Sequence, residues 1–157
     1  MAILVVDDSG TYRTATVKAL TAFGFTNILT ANDGAEGLAQ LQKHGKKIGL
    51  IISDVDMPTM DGLKLLEQIR YNRSGADIAY SPTVPVVIAT AEGSGEREHA
   101  ALQLDAGYVN KPWTRETLAP AIAAAVDYSE ETKRREMAVD RSLRERRRPG
   151  RSPGCVI

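Results

Sequence analysis

Charged and hydroxyl side chains follow four short apolar runs of the sequence. The runs and the residues after them are AILVV (2–6) with Asp7 and Asp8, LIIS (50–53) with Asp54, VPVVIA (84–89) with Thr90, and GYVN (107–110) with Lys111. Carboxylates beside a buried strand are costly unless another group compensates their charge. The stretch SDVDMPTMDG at 53–62 is the densest case, with three aspartates in ten residues. Such residues either form turns or gather charge for a cation and chemistry.

A site that binds a cation can be described more specifically. Side chains at the carboxyl ends of parallel strands meet at one edge of a sheet. Asp7, Asp8 and Asp54 would then oppose the single positive charge of Lys111, and a divalent cation would offset the excess. An all-oxygen site of carboxylates, carbonyl groups and water suits Mg²⁺ or Mn²⁺. With the hydroxyl of Thr90, it can stabilise a transferring phosphoryl group whose covalent acceptor is a carboxylate.

The pattern between the runs predicts the elements that position these residues. The first, third and fourth runs are nearly continuous and β-branched, as in strands covered on both faces, and NILTA (27–31) supplies a further strand. Helical patterns lie between them, at 11–22, 35–43, 62–71 and 95–105. In the first helix, Tyr12, Ala15, Ala19 and Leu20 share one stripe. This alternation predicts an α/β fold, with right-handed crossovers, a parallel sheet and helices on both faces.

Composition indicates one globular domain with an appendage. The chain has 157 residues, 43% of them hydrophobic, and zero net charge. Residues 127–157 hold nine basic and six acidic groups, whereas residues 1–126 hold eleven basic and fourteen acidic groups. The single cysteine, Cys155, excludes an intramolecular disulfide. Neither a signal peptide nor an apolar run of about 20 residues is apparent, so we expect a soluble cytoplasmic protein without a membrane span.

The sequence of the last helix leaves its first residue undecided, and its apolar pattern becomes sparse after Val126. Leu118, Ile122 and Val126 follow at i, i+4 and i+8. A cap at Thr114 would place Pro120 inside the helix and kink it, whereas a cap at Thr117 would leave Pro120 in the tolerated first turn. We predict a domain over 1–126, a charged helical continuation over 127–143, and a disordered arginine-rich end. The long connection at 71–83 is expected to be exposed.

Four motifs in this order carry a family resemblance. ILVVDDS, IISDVDMPTMDGL, VIATAE and GYVNKPW resemble the receiver domains of bacterial response regulators, most of all single-domain chemotaxis regulators of the CheY type. The likeness covers residues 2–126. It implies a flavodoxin-like, doubly wound five-stranded parallel sheet in the order 2-1-3-4-5. It also implies a phosphoryl-accepting signalling switch rather than an enzyme, with autophosphorylation from small phosphodonors and self-dephosphorylation.

The resemblance assigns roles at the acceptor. It implies that Asp54 takes a phosphoryl group from a histidine kinase and that Mg²⁺ is held by Asp8, assisted by Asp7, with Asp54 and the backbone carbonyl of Asp56. Lys111 would pair with the acyl phosphate, across a cis bond to Pro112. A hydroxyl and an ammonium gain strong hydrogen bonds only once phosphate oxygens arrive, which lets phosphorylation bias a two-state element.

It also implies a switch surface. Thr90 would turn its hydroxyl onto the phosphate, and Tyr108 would change rotamer in step, altering the face made by the fourth helix, the fifth strand and the last helix. Trp113 stands beside this face where a Phe is more usual. The partners implied are the kinase, a downstream protein target and a phosphatase, in a two-component pathway such as chemotaxis.

Some residues depart from the family pattern. Asp56, two residues after the acceptor, stands where CheY proteins typically carry Asn, and Glu92 lies two residues after Thr90. Our hypothesis is that these acids crowd the phosphate and alter the lifetime of phosphorylated Asp54. The connection at 71–83 is an insertion, and residues from 127 onward have no counterpart in a minimal receiver.

Alternatives remain open at this point. DVDMPT partly matches the Asp-nucleophile motif of haloacid-dehalogenase-type phosphatases, which also use Mg²⁺, but Pro58 occupies the fifth position and the acidic pair precedes the nucleophile. A receiver that works by binding alone is a further possibility. The arginine-rich end could contact nucleic acid, but too little chain follows residue 126 for a DNA-binding output domain.

Overall fold

Five parallel strands form one sheet in the computed structural model of the protein, which describes residues 1–71 and 79–147. The strands are β1 (Ala2–Val6), β2 (Ile28–Ala31), β3 (Ile48–Ser53), β4 (Val86–Thr90) and β5 (Gly107–Asn110). Their order is β2-β1-β3-β4-β5, with parallel pairing throughout. The predicted order is confirmed. Because the winding reverses between β1 and β3, a crevice opens at the carboxyl ends of these two strands.

Helices cover both faces of the sheet. They are α1 (Gly10–Ala22), α2 (Gly34–His44), α3 (Gly62–Tyr71), α4 (Gly95–Gln103) and α5 (Arg115–Arg146), with a short 3-10 helix at Gly45–Lys47. Alternate residues of a strand point to opposite faces. Accordingly, Leu4 and Val6 pack in a core with α2, α3 and α4, and Ile3 and Val5 pack in a second core with α1 and α5.

Three predicted strands begin at a different residue in the structure. β2 begins at Ile28, one residue after the predicted start. β3 begins at Ile48, two residues before the predicted start, because Ile48 pairs with Ala2 across a register shift in β1. β4 begins at Val86 rather than at residue 84. Val84 is still buried in the core, and the Pro85 carbonyl accepts a hydrogen bond from the Ile51 amide at 2.9 Å.

The stripe predicted for α1 is wrong at its first turn. Tyr12 is exposed, as is Ala15, whereas Thr16 and Leu20 are the buried residues of this helix. The Thr16 hydroxyl donates a hydrogen bond to the Tyr12 carbonyl at 2.9 Å. Because this polar group is paired, Thr16 can occupy a buried position. The first turn of α1 therefore faces the carboxyl edge of the sheet and not the core.

Thr114 caps α5, so the alternative cap at Thr117 is wrong. The Thr114 amide donates to Thr117 Oγ1 at 2.8 Å, and the helix begins at Arg115. Pro120 therefore lies inside the helix, where it has no N–H to donate to the preceding turn.

α5 continues past the predicted domain boundary at Val126. Ser129 is buried and donates to the Thr83 carbonyl at 2.5 Å, and Thr132 Oγ1 donates to Asp105 Oδ2 at 3.2 Å. The charged helical continuation is thus confirmed, and it ends at Arg146, inside the segment predicted to be disordered. The remaining part of that prediction, including Cys155, lies outside the described residues.

The connection between α3 and β4 is only partly exposed. Residues 72–78 lie outside the described residues, but Tyr80 and Thr83 are buried, so the prediction of an exposed connection is wrong at these two positions. The guanidinium of Arg70 donates to the carbonyls of Pro82 and Val84 at 2.7 and 2.9 Å. It also donates to the Leu104 carbonyl at 2.8 Å, and its burial lowers its pKa to about 10. In the described ranges, no helix is long and apolar enough to cross a membrane.

Candidate functional site

The carboxyl ends of β1 and β3 bring three aspartates together. Carboxylate oxygens of Asp7, Asp8 and Asp54 all lie within 4.8 Å of one another. Asp7 is buried, Asp54 is partly buried and Asp8 is exposed. The cluster is therefore open to solvent on the side of Asp8, as a site that exchanges ligands requires.

Lys111 supplies a positive charge at the site. Its Nζ lies 2.5 Å from Asp7 Oδ2 and 3.4 Å from Asp54 Oδ2, and only 2% of the side chain is exposed. The bond to Pro112 is cis, as predicted. The Arg13 guanidinium also reaches this edge and donates to the Asp7 carbonyl at 2.7 Å. The three carboxylates still outnumber the two cations, and this negative excess would attract a divalent cation.

Asp54 is held by the backbone around it. Its amide donates to the Val6 carbonyl at 2.9 Å, and its Oδ1 accepts from the Val55 amide at 2.7 Å. Burial raises the pKa of Asp54, and the charge of Asp7 raises it further, against the opposing effects of Lys111 and the Val55 amide. Since 12% of the side chain is exposed, the carboxylate remains accessible from the crevice.

The loop after Asp54 needs a glycine at the start of α3. A Cβ on Gly62 would lie 1.9 Å from the Asp54 carbonyl oxygen, so no side chain fits there. The Gly62 amide donates to the Val55 carbonyl at 2.9 Å, and Asp61 Oδ1 accepts from the Lys64 amide at 2.8 Å. Asp61 therefore caps α3 rather than joining the carboxylate cluster.

The site has the donor set that Mg²⁺ prefers. Asp8 and Asp7 offer carboxylate oxygens beside Asp54, and the site combines oxygen ligands with a negative excess. Asp7 already accepts from the Ser9 amide at 2.9 Å and from Lys111, so Asp8 is the carboxylate with the most room for a metal. The aspartates present thus fit the ion that the sequence implied.

Two side-chain hydroxyls of the neighbouring strands β4 and β5 are buried. Within residues 1–71 and 79–147, neither Thr90 Oγ1 nor the Tyr108 hydroxyl has a hydrogen-bond partner of good geometry, although the Ser94 backbone lies near the Tyr108 hydroxyl. A Cβ on Gly93 would lie 2.9 Å from the Tyr108 hydroxyl, so the loop after β4 passes close over this ring. An unpaired buried hydroxyl is costly, and each would gain from an acceptor brought into the site.

Asp56 and Glu92 are placed differently from each other and from the cluster. The Asp56 carboxylate forms a bidentate pair with Arg97, at 2.8 and 2.7 Å, so only its backbone carbonyl is left for a metal. Arg97 also donates to the Glu92 carbonyl at 2.9 Å. The sequence analysis missed Arg97, which lies in the first turn of α4 and carries no motif.

Tyr12 and Trp113 flank the site. Lys111 Nζ lies 4.2 Å from the centroid of the Tyr12 ring, a cation–π contact that the sequence analysis also missed. Trp113 is partly buried and packs against the core that α1 and α5 cover. The available sequence signal was an aromatic residue shortly after the acidic pair, which the helical pattern had instead placed on the stripe with Leu20.

Comparisons with known proteins agree with this architecture. The sequence profile of the response regulator receiver domain matches residues 3–123. A probable chemotaxis protein CheY from Rhizobium etli is 37% identical over 123 residues, which are 78% of this chain and 89% of the relative.

Two solved structures show the same fold. Chemotaxis protein CheY4 of Vibrio cholerae matches with a TM-score of 0.63 and 31% identity, over 79% of this chain and 97% of that one. The CheX–CheY–BeF3–Mg²⁺ complex of Borrelia burgdorferi matches with a TM-score of 0.68 and 26% identity, over 80% of this chain and 89% of that one.

Proposed function

The chain belongs to the response regulator receiver domain family, and from this premise we propose that Asp54 is the phosphoacceptor of a Mg²⁺-dependent signalling switch. The protein is a CheY-like response regulator of two-component signal transduction. The observation that carries the proposal is the position of Asp54, whose carboxylate lies within 4.8 Å of those of two further aspartates and 3.4 Å from Lys111 Nζ.

The transfer follows from these positions. A carboxylate oxygen of Asp54 attacks the phosphorus of a kinase phosphohistidine, the bond from phosphorus to the histidine nitrogen breaks, and that nitrogen keeps the electron pair. Asp7, Asp8, Asp54 and the Asp56 carbonyl would hold Mg²⁺, which would supply positive charge for the phosphoryl oxygens. Lys111 provides a second cation at the same oxygens, so the transfer depends on positioning and charge.

The unpaired hydroxyls support a switch. A phosphoryl group on Asp54 gives Thr90 Oγ1 the acceptor that it lacks in this structure. Movement of Thr90 frees space next to Tyr108, and the ring changes the face formed by α4, β5 and α5. The differential hydrogen bonding of the two states is the source of the population shift.

We propose a histidine kinase as phosphodonor, and as target a protein that reads the α4–β5–α5 face. The chemotaxis names of the relatives favour a chemotaxis pathway, and the Borrelia complex pairs a CheY with CheX, so a CheX-like protein is a candidate partner. The haloacid-dehalogenase-type phosphatase is not favoured, because the receiver profile matches residues 3–123.

The test is to incubate the protein with acetyl phosphate and Mg²⁺ and to follow its intact mass beside Asp54→Asn. We expect a labile phosphoryl adduct that needs Mg²⁺ and is absent from the variant. An unmodified wild-type protein that does not consume acetyl phosphate would overturn the proposal in favour of a receiver that works by binding alone. Consumption of acetyl phosphate without an accumulating adduct would fit both a short-lived switch and an Asp-nucleophile phosphatase, because both pass through phosphorylated Asp54.

A further inference from the structure

The Asp56–Arg97 pair joins two loops at the rim of the acceptor site. Arg97 Nη1 donates to Asp56 Oδ2 at 2.8 Å, and Arg97 Nη2 donates to Asp56 Oδ1 at 2.7 Å. The same guanidinium donates to the Glu92 carbonyl at 2.9 Å. Arg97 therefore connects the loop after Asp54 with the loop after Thr90, which are the two segments that a phosphoryl group must bring together.

The pair also changes the charge around the acceptor. Asp56 is two residues from Asp54, in a site that already has an excess of negative charge. A planar guanidinium matches a carboxylate with two parallel hydrogen bonds, which an ammonium cannot do. The Asp56 side chain is 52% exposed and that of Arg97 is 29% exposed, so the pair adds little to stability. Its effect is on the electrostatic field at the site.

We propose that Arg97 is a positioning residue that masks the charge of Asp56 and so sets how readily Asp54 accepts a phosphoryl group. This rests on the proposed function of Asp54. It concerns the loading of Asp54 and takes account of the cation that binds the Asp56 carboxylate in this structure. The hypothesis that Asp56 and Glu92 alter the lifetime of phosphorylated Asp54 stays a prediction. Without Arg97, the carboxylate would stand free at the rim, attract Mg²⁺ and repel an anionic phosphodonor.

The opposite signs of these two effects make a specific test. In Arg97→Ala we expect Mg²⁺ to bind more tightly, by about twofold or more, as followed by the amide chemical shift of Val55. At saturating Mg²⁺ we expect the same variant to load from acetyl phosphate roughly three- to tenfold more slowly, with a difference that shrinks as salt is added. Arg97→Lys keeps the charge without the bidentate contact. Its Mg²⁺ affinity and loading rate should lie between those of the wild type and those of Arg97→Ala.

A double-mutant cycle isolates the pair. In an Asp56→Asn background, Arg97 lacks the bidentate contact that holds its guanidinium at the rim. Arg97→Ala should therefore change Mg²⁺ affinity and the loading rate less in this background than in the wild type. Arg134→Ala, at an exposed position of α5, is the matched control for loss of a surface arginine. Circular dichroism spectra of all variants establish that they fold.

The outcomes separate the two proposals. Weaker Mg²⁺ binding together with slower loading in Arg97→Ala would show that Arg97 has a merely structural role. This result would overturn the proposal that Arg97 masks the charge of Asp56. An equal effect of Arg97→Ala with and without Asp56 would also overturn it. If the wild-type protein formed no adduct at all, the function proposed for Asp54 would fail. The Mg²⁺ titrations of the wild type, Arg97→Ala, Asp56→Asn and the double variant would still decide whether Arg97 masks the charge of Asp56.

Discussion

Lys111 Nζ lies 2.5 Å from Asp7 Oδ2 but 3.4 Å from Asp54 Oδ2. In this structure the ammonium is thus bound more closely by the neighbouring carboxylate than by the acceptor. A cation that binds Asp7 competes with Lys111 and frees the ammonium to turn toward Asp54. Mg²⁺ binding and phosphorylation of Asp54 would then both move the Lys111 ammonium away from Asp7 and toward Asp54.

We predict that Lys111→Met lowers the free energy of unfolding by about 3 kcal/mol without Mg²⁺, because removal of one partner leaves buried Asp7 unpaired. Urea denaturation measures this loss. Saturating Mg²⁺ should stabilise the variant more than the wild type, since the metal replaces the missing positive charge.

The control for this prediction is Lys18→Met, which removes an exposed lysine of α1. Its unfolding free energy should match that of the wild type with and without Mg²⁺. An equal gain from Mg²⁺ in Lys111→Met and the wild type would contradict the proposed competition at Asp7.

The pKa of Asp54 predicts a pH dependence of stability. Burial raises this pKa above its ordinary value of 3.8. As pH rises from below 3.8, the unfolded chain loses this proton first, so the contribution of Asp54 to stability falls until the raised pKa is passed. In EDTA we therefore expect Asp54→Asn to unfold at a higher urea concentration than the wild type at pH 7. The difference should shrink toward pH 4, and a constant difference would contradict this account.

The sheet and the acceptor cluster could be predicted because their signals are local. Each functional side chain directly follows an apolar run, and the parallel alternation places those run ends on one edge. Asp7, Asp8, Asp54, Thr90 and Lys111 all come to that edge in the structure. Their chemical roles stay predictions, which the experiments above address.

Other contacts could not be predicted, because nothing local specifies them. Arg97 reaches Asp56 over 41 positions of sequence, through the side-chain length and the path of the loop before α4. Arg70 and Ser129 bind the backbone carbonyls of Pro82 and Thr83, which no motif marks, so the burial of Thr83 was missed. Tyr80 packs in the core with β1 and β3, although it lies in a connection whose sequence predicts a loop. The start of α5 was left open because two threonines, three residues apart, can both cap a helix.

The Tyr12 ring is predicted to stabilise the ammonium of Lys111. Tyr12→Leu should lower the unfolding free energy by about 1 kcal/mol, the size of a partly exposed cation–π contact. Tyr12→Phe keeps the ring and should retain the wild-type value. The loss should vanish in a Lys111→Met background, as measured by a double-mutant cycle from urea denaturation. An undiminished loss in that background would mean that Tyr12 acts through packing alone.

Ser129 is predicted to attach the second half of α5 to the receiver. Its buried hydroxyl donates to the Thr83 carbonyl. Ser129→Ala removes this donor and should cost about 1–2 kcal/mol in urea denaturation. Because contacts beyond Val126 hold this part of the helix, amide hydrogen exchange over 127–136 should also become faster. Ser142→Ala, at an exposed position further along α5, is the matched control and should change neither quantity. Unchanged exchange in Ser129→Ala would show that helix propensity, rather than docking, maintains the extension.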